Sequence, residues 1–489
     1  MTLRSRLAFT VGLVYLLHFA PNVVRETYLA VSLGDRASLR VDEFLGLHPD
    51  LFAIEGRGGY INNNPGASFL GAIPYTLARP AIAAVLALKP ELSQPKPAAT
   101  YDDPRPNRTK FLNAARAHGL DVKLGLAAAA IHAGLMVPLA ILATLAIFSF
   151  VRSRTDDVKL ALGGALLYAF ATPIFFRSAF LNQNALIAHG VLFGFLAMAS
   201  IRADDAAPVP AKPLLAAGAL LGWGLLTDYS GAPLLVAFGC WSLVKGFRRG
   251  RGRGLVRAGA VFSLGALGPL ALLFGYQWAA FGHPLFPAQA YMPDTSLSVR
   301  GWHGFSLPTM ELLWRNLLDP RYGLFAFSPL LALALVAPFR RRPSLLTREE
   351  VWFGFAAAAA LWLFSSANQF GLLQWNTGVR YLVPATPLLF LIGLPVLEGL
   401  SPFWRWSWIL SSIAISWSVA MARESVPTSL AHILLGGFEL PWLVTLKKTA
   451  GAYAQFLSEG ASPNGLFLFA AVALWLVWRN ASRAGEASG

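Results

Sequence analysis

Long apolar runs separated by short polar segments constrain this chain more than any other feature of its sequence. Runs of roughly 17 to 25 residues, enough to cross the hydrocarbon core of a bilayer, recur along almost the whole chain. Of the 489 residues, 55% are hydrophobic and only 13% are charged, which is more apolar surface than one soluble core would bury. We therefore predict an all-α polytopic membrane protein.

The apolar runs predict about twelve transmembrane spans. Residues 67–88 are also apolar enough to span, but they contain Pro74, Arg79 and Pro80, and a crossing there would move every later loop to the other side. We predict instead an amphipathic or re-entrant element at the outer interface, although a crossing plus one further span elsewhere fits the charges too. The twelve predicted spans are 7–24, 124–150, 158–176, 181–201, 214–227, 230–245, 257–281, 322–338, 350–366, 380–400, 407–421 and 464–478.

Clusters of basic residues give the orientation. RSR at 152–154, RRGRGRG at 248–254 and RRR at 340–342 lie between apolar runs, as expected for cytoplasmic loops under the positive-inside rule. The net charge of +15 therefore indicates topology and not a nucleic-acid partner. We expect a multi-pass protein of the cytoplasmic (inner) membrane with a retained first span, both termini cytoplasmic and any chemistry on the outer, periplasmic face. The predicted outer segments are 25–123, 282–321, 367–379 and 422–463.

Two adjacent carboxylates, Asp42 and Glu43, follow the first span. On a helix they point about 100° apart and on a strand to opposite faces, so they cannot share one role at one substrate atom. One would react and the other support it. The alternative is a solvated first turn of a helix, where acids are favoured by the helix dipole.

The next feature is GRGGYINNNPGASFL at 56–70, with glycines for tight turns and three consecutive side-chain amides before Pro65 and Gly66. Such a loop could present backbone N–H groups and amides to a polar ligand at the membrane surface, or serve as an ordinary helix entry. Its candidate substrate-binding residues are Tyr60, Asn62, Asn63 and Asn64.

An acidic pair after the first span, followed by Gly58, Tyr60, Pro65, Gly66 and Leu70, resembles the first outer loop of bacterial GT-C glycosyltransferases. The similar groups are the protein O-mannosyltransferases (glycosyltransferase family 39-like), aminoarabinose transferases and rhizobial lipopolysaccharide glycosyltransferases. Asn64 stands where many of these have the first proline of a Pro-Pro-Gly. Four further segments resemble the same group in the same order: LNQNALIAHG at 181–190, WAAFGHPLFPAQAY at 278–291, LLDPRYGLFAFSPLL at 317–331 and WNTGVRYLVPATPLL at 375–389.

The resemblance implies a GT-C-like bundle of about twelve helices whose long first outer loop carries amphipathic helices. It also implies inverting transfer of a sugar from a polyprenyl-phosphate donor to a hydroxyl acceptor, which is a lipid, glycan or protein. By position the general base is then Asp42, with Glu43 as runner-up. Residues 1–400 would form the catalytic module and 401–489 a C-terminal transmembrane region.

Cations on the outer face are candidates for the donor phosphate, because the arginine fork suits phosphate oxygens. They are Arg57, Arg300, His303, Arg321 and Arg380, and the alternative for each arginine is contact with lipid headgroups. Asp228, in a very short turn between two spans, is either a substrate-binding acid or a helix cap. Trp302 and Trp375 are candidates for stacking on a sugar, against the usual interfacial role of tryptophan.

The sequence contains no zinc-site spacing, and a divalent metal stays possible because some GT-C enzymes use one. The alternatives to the transferase are a polytopic transporter or lipid flippase and a lipid-pyrophosphate-dependent glycan ligase or polymerase. A transporter is expected to have repeated halves and ionisable residues near mid-membrane. This chain has no convincing repeat and concentrates its polar groups in the outer loops.

The predicted orientation is testable by cysteine labelling, because Cys240 is the only cysteine. In a Cys240→Ser background, Val299→Cys is expected to react with a membrane-impermeant maleimide applied to the outer face. Ser153→Cys is expected to react only after permeabilisation. The opposite pattern would reverse the orientation.

Overall fold

The computed structural model describes residues 1–90, 113, 117, 121–201, 209–294, 297–339, 345–376, 378–449 and 463–479. Within these residues the chain is almost entirely helical, and its sheet is one antiparallel ribbon of two strands.

The first loop folds into short elements after the first helix. Phe52 pairs with Tyr60 across the ribbon, and Gly58 has a φ of +110°, a conformation that favours glycine. In chain order the elements are α1 Leu3–Leu17, α2 Arg25–Arg36, a 3₁₀ turn Asp42–Phe44, β1 Leu51–Ile54, β2 Gly58–Ile61 and α3 Gly66–Leu88.

The rest of the chain forms the bundle, and each predicted span falls on one of its helical segments or on α1. These are α4 Asp121–Ile131, a π-helical turn His132–Met136, α5 Val137–Thr155, α6 Val158–Phe170, α7 Pro173–Arg177, α8 Gln183–Ala199, α9 Ala211–Thr227, α10 Gly231–Phe281, a 3₁₀ turn Ala288–Tyr291, α11 Met310–Leu318, α12 Leu324–Phe327, 3₁₀ segments Pro329–Phe339, Gln369–Asn376 and Val383–Ala385, α13 Arg348–Ala367, α14 Thr386–Glu398, α15 Pro402–Ala422, α16 Val426–Gly436, α17 Pro441–Thr449 and α18 Asn464–Trp478.

In the described residues, four helices are long and apolar enough to cross a membrane by length and composition. They are α3, the continuous helix from α4 to α5, α10 and α13. Two predicted spans, 230–245 and 257–281, form the two halves of α10, which bends where Gly250 and Arg251 leave helical geometry.

Helix α3 covers the ambiguous segment 67–88. Its 23 residues qualify as a candidate span, yet it packs along α2 of the first loop. Tyr75 donates a hydrogen bond to Asp35 (2.8 Å), and Arg79 donates to the carbonyl of Gly34 (2.5 Å) at the end of α2. These bonds tie α3 to a loop helix, while its interfacial position stays a prediction.

The helix ends form two separate polar regions. At the first, which we call the loop end, distant connecting segments bond directly: Ala20 N–H donates to the Ala179 carbonyl (2.8 Å) and Val426 N–H to that of Pro320 (2.9 Å). At the second, the basic end, Arg154 pairs with Glu350 (2.8 Å). The described parts of all four segments predicted to share the outer face lie at the loop end.

Helix α18 runs antiparallel to α1. Trp478 donates to Thr10 (3.0 Å), while Phe467 lies near His18, their ring centroids 5.8 Å apart. The first residues of α1 and the last residues of α18 therefore both lie toward the basic end.

Helix α14 packs inside the bundle against several other helical segments. All of α14 from Thr386 to Leu394 is buried, which fits its apolar sequence around the full helix circumference. Helices α9 and α10 are in close backbone contact, because Gly218 and Gly222 of α9 face the backbone of Phe262 and Ala266 of α10. Small residues four apart allow such backbone contact in membrane bundles.

Adding a side chain at this contact should destabilise the protein. Gly218→Val would push a methyl group onto the Phe262 carbonyl, so we expect a cost of about 1–3 kcal/mol and a lower thermal unfolding midpoint in detergent. Gly268→Val is the matched control. Gly268 lies on α10, the partner helix of this contact, and a Cβ added there would meet open space. Equal midpoints for the two variants would contradict the close contact.

Candidate functional site

Arg25 is the central side chain of the first loop and is the first residue of α2, at the loop end. Its Nη1 donates to Asp50 Oδ2 at 2.6 Å and its Nε to Glu26 Oε1 at 3.0 Å. Only 12% of the Arg25 side chain and 2% of the Glu26 side chain are exposed. A buried, doubly paired arginine therefore joins the start of α2 to the residue just before β1.

Gln183, at the start of α8, brings the bundle to this loop. The geometry favours the amide orientation in which its oxygen accepts from Arg25 Nη2 (2.9 Å) and Arg380 Nη2 (3.2 Å) while its nitrogen donates to Glu26 Oε1 (2.8 Å). In the opposite orientation the nitrogen faces Asp228 at 3.3 Å. We call Arg25, Glu26, Asp50, Gln183 and Arg380 the Arg25 cluster.

The charge of Asp50 is stabilised within the Arg25 cluster. Burial alone would raise the pKa of Asp50, but the positive charges of Arg25 and Arg380 outweigh it and lower this pKa to about 2. The carboxylate also accepts from the Asn62 amide (3.0 Å). Asp50 is therefore ionised at neutral pH and is a weak base.

The three consecutive amides of the first loop reach three different partners. Asn62 bonds to Asp50, Asn63 donates to Glu26 Oε1 (2.9 Å), and Asn64 donates to the Leu225 carbonyl of α9 (2.7 Å). Asn62 and Asn63 thus join this loop to the Arg25 cluster, and Asn64 joins it to the bundle. The sequence prediction that these amides serve a site is compatible with this placement and stays a prediction.

Asp228 serves its own turn as well as facing the Arg25 cluster. Its Oδ1 accepts from the backbone N–H of Ser230 (2.8 Å), as a capping acid does, while Oδ2 points toward Gln183. Both alternatives raised by the sequence, a cap and a residue near the site, are consistent with this geometry.

Arg380 is half-buried and lies in the turn before α14. Its guanidinium carbon is 5.2 Å from the centre of the Tyr381 ring, and Gln183 accepts from its Nη2. Among the described residues Arg380 has no carboxylate within ion-pair distance. A half-buried guanidinium of this kind is suited to an anionic ligand.

The predicted acidic pair lies elsewhere on the loop. Asp42 accepts from the Gly59 backbone N–H (2.5 Å) and pairs with Arg40 (2.9 Å), with 45% of its side chain exposed. Glu43 pairs with Arg36 and is 39% exposed. These contacts fasten the 3₁₀ turn to β2 and α2, and none of them joins either acid to the Arg25 cluster.

The remaining predicted residues are dispersed. Arg57 lies beside Gly282, and its carbonyl accepts from the Tyr60 hydroxyl (3.1 Å), whose ring packs on Phe281. Arg300, Trp302 and His303 lie in a separate turn in which Trp302 and Phe305 exchange backbone hydrogen bonds. The side chain of Trp375 lies outside what the structure describes, although its backbone belongs to the 3₁₀ segment Gln369–Asn376.

No group of three histidine, cysteine or carboxylate side chains that could hold a metal ion occurs in the part of the chain that the structure describes.

Sequence reasoning missed Arg25, Glu26, Asp50 and Gln183. Arg25 and Glu26 directly follow the first predicted span, and Asp50 stands beside Pro49 just before a strand. An Arg-Glu pair at the mouth of a span was the signal available, because charged residues at that depth need partners.

No protein-family model matches the sequence, and no curated protein is significantly similar to it. Two solved structures of ArnT from Cupriavidus metallidurans are similar in fold, each at 16% sequence identity and covering 98% of this chain. The apo structure is covered over 72% of its length with a TM-score of 0.49. The structure bound to undecaprenyl phosphate is covered over 77% with a TM-score of 0.50. The likeness to the second concerns the fold alone, and the predicted all-α, polytopic membrane architecture is confirmed.

The low pKa of Asp50 predicts a specific pH dependence. Its stabilising contribution is complete above the unfolded-state value near 3.8 and is lost as the pH falls through about 2. The thermal unfolding midpoint of Asp50→Asn should therefore lie below that of the wild type at pH 5, and the gap should narrow toward pH 2. Glu55→Gln, which alters an exposed acid, is the control, and a gap that does not depend on pH would contradict the pairing.

Proposed function

We propose that this protein transfers a sugar from a polyprenyl-phosphate donor to a hydroxyl acceptor, with inversion, at the outer face of the cytoplasmic membrane. The observation that carries the proposal is the placement of Arg380, a half-buried guanidinium without a carboxylate partner among the described residues. The Gln183 amide links it to the buried carboxylate Glu26. The GT-C-type fold supports it, as does the undecaprenyl phosphate bound to ArnT, the structural neighbour.

The donor phosphate is proposed to bind at Arg380. As the glycosidic bond to phosphate breaks, negative charge grows on the phosphate oxygens, and a cation already fixed in a partly dehydrated site stabilises that charge. Arg380 lies just before α14 at the loop end, where a lipid in the bilayer would present its phosphate. Arg57, Arg300 and His303 lie in other turns and are proposed at most to attract the lipid to that end.

The general base is proposed to be Glu26. One oxygen, Oε1, accepts from Arg25, Asn63 and Gln183, and no described residue bonds to Oε2. A carboxylate held through one oxygen keeps the other for the proton of the acceptor. Asp50 is a poorer choice because its pKa is lowered to about 2. Asp42 remains the competing assignment from sequence, although it is half-exposed and paired with Arg40.

The reaction is then a single displacement. The acceptor oxygen forms a bond to the anomeric carbon while the bond from that carbon to the phosphate oxygen breaks. The polyprenyl phosphate leaves with the electron pair, and the acceptor proton moves to the carboxylate. Asn62 and Asn63 are proposed to orient Asp50 and Glu26 respectively, so that the two acids have different roles. The proposed substrate contacts remain Asn64, Tyr60, Asp228, Trp302 and Trp375.

The transporter alternative is less well supported by the distribution of charge. The ion pairs of Arg25 with Asp50 and of Arg154 with Glu350 lie at the loop end and at the basic end respectively. An ion-coupled transporter would be expected to bind its ion near the middle of the membrane.

The proposal is tested by sugar transfer in proteoliposomes with a panel of undecaprenyl-phosphate sugars. Glu26→Gln keeps the size of the side chain and removes the base, so turnover should fall about 10²–10⁴-fold while undecaprenyl phosphate still binds. Asp42→Asn should retain turnover within a few-fold, with Glu43→Gln as its surface control.

Loss of turnover in Asp42→Asn with Glu26→Gln active would return the base to Asp42 and keep the reaction class. Absence of transfer with every donor and a broad set of acceptors would contradict the proposed function itself.

A further inference from the structure

The turn that carries Arg380 is held from two sides. On one side the buried Arg177 of α7 donates to the carbonyls of Gly378 (2.6 Å) and Val379 (2.5 Å). On the other, the side-chain oxygen of Gln374 accepts from the backbone N–H groups of Arg380 (3.2 Å) and Tyr381 (3.3 Å). The turn is therefore fixed by one side chain from α7 and one from the 3₁₀ segment Gln369–Asn376.

Gln374 is itself held by a chain of buried amides. Its nitrogen donates to Asn316 Oδ1 (2.7 Å), and the nitrogen of Asn316 donates to the Ser366 hydroxyl (3.1 Å) at the end of α13. Gln374, Asn316 and Ser366 are each at most 2% exposed. Each amide thus uses both its donor and its acceptor, which fixes its orientation.

Asn316 belongs to α11, a short helix with two different faces. Leu312 and Asn316 are buried, while Met310 and Trp314 are 80% and 64% exposed. An apolar exposed stripe with Glu311 and Arg315 beside it is typical of a helix lying in the membrane interface. The chain of amides therefore begins on the element that would set the depth of this end of the protein in the lipid.

We propose that Gln374 and Asn316 are positioning residues that hold Arg380 at the depth of the lipid headgroups, where it meets the phosphate of a polyprenyl lipid. This rests on the proposed function, since it takes Arg380 as the phosphate ligand. Gln374 touches no reacting atom. It acts by satisfying two backbone N–H groups that would otherwise be left without partners when the turn is in place.

A double-mutant cycle tests the proposal, because it separates action through Arg380 from a general structural effect. The probe is undecaprenyl phosphate, titrated into the purified full-length protein and followed by native mass spectrometry. Gln374→Met has the same length without hydrogen bonds and should weaken binding about tenfold. In an Arg380→Met background the same change should weaken binding less than about twofold, because the residue being positioned is gone.

Gln369→Met is the matched control. Gln369 is also a buried glutamine of the same 3₁₀ segment, but it donates to Ser306 (2.9 Å) and not toward Arg380. Its replacement should leave the dissociation constant for undecaprenyl phosphate near the wild-type value. Asn316→Leu is the second variant if Gln374→Met does not fold, and its effect should likewise vanish when Arg380 is replaced.

The outcomes are distinguishable. Additive effects of Gln374→Met and Arg380→Met, or equal effects of Gln374→Met and Gln369→Met, would overturn the positioning role. Unchanged binding in Arg380→Met alone would instead contradict the phosphate site of the proposed function. In the transfer assay a positioning role should appear as a raised KM for the lipid donor with the KM for the acceptor retained.

Discussion

The pairing of Arg25 with Glu26 and Asp50 is the interaction on which the loop end depends. A guanidinium this deeply buried is stable only if carboxylates and amides replace its lost water. Satisfying it draws together the start of α2, the residue before β1 and the start of α8. The first loop, which otherwise consists of short elements, thereby acquires one arrangement relative to the bundle.

Because these charged side chains are largely removed from water, the partners available to each one decide what it can do. Arg25 pairs with two acids, so its positive charge is more than compensated. The Arg380 guanidinium contacts Gln183 and the Tyr381 ring, neither of which carries a charge. Asp50 is kept ionised by the nearby cations, and Glu26 is held through one oxygen. Under the proposed function, an anionic lipid would bind at Arg380, which Gln183 links to a carboxylate that is already oriented. Binding and proton transfer would then use adjacent residues of one hydrogen-bonded cluster.

The sequence predicted the helices well because apolar length is a local property, and both halves of α10 and all other spans have helical counterparts. It also selected Arg380, Asn62 and Asn63, which lie in or against the Arg25 cluster. It favoured Asp42, with Glu43 as runner-up, because the resemblance places the base in an acidic pair after the first span. The two acids pair with different partners, Arg40 and Arg36, as expected for adjacent residues. Glu26, Asp50 and Gln183 are far apart in sequence, and only the packing of α2 against the bundle makes them neighbours. No local pattern could have revealed that contact.

The bend in α10 has a consequence for how the chain enters a membrane. Two apolar halves are joined by only two residues outside helical geometry, Gly250 and Arg251. No loop separates the two halves, so one half could not insert while the other remained in water. The two would therefore enter the bilayer together as a helical hairpin. Arg248, Arg249, Arg251 and Arg253 at its tip make translocation of that tip costly. The tip of the hairpin is therefore expected to stay on the side of the membrane from which the chain inserts.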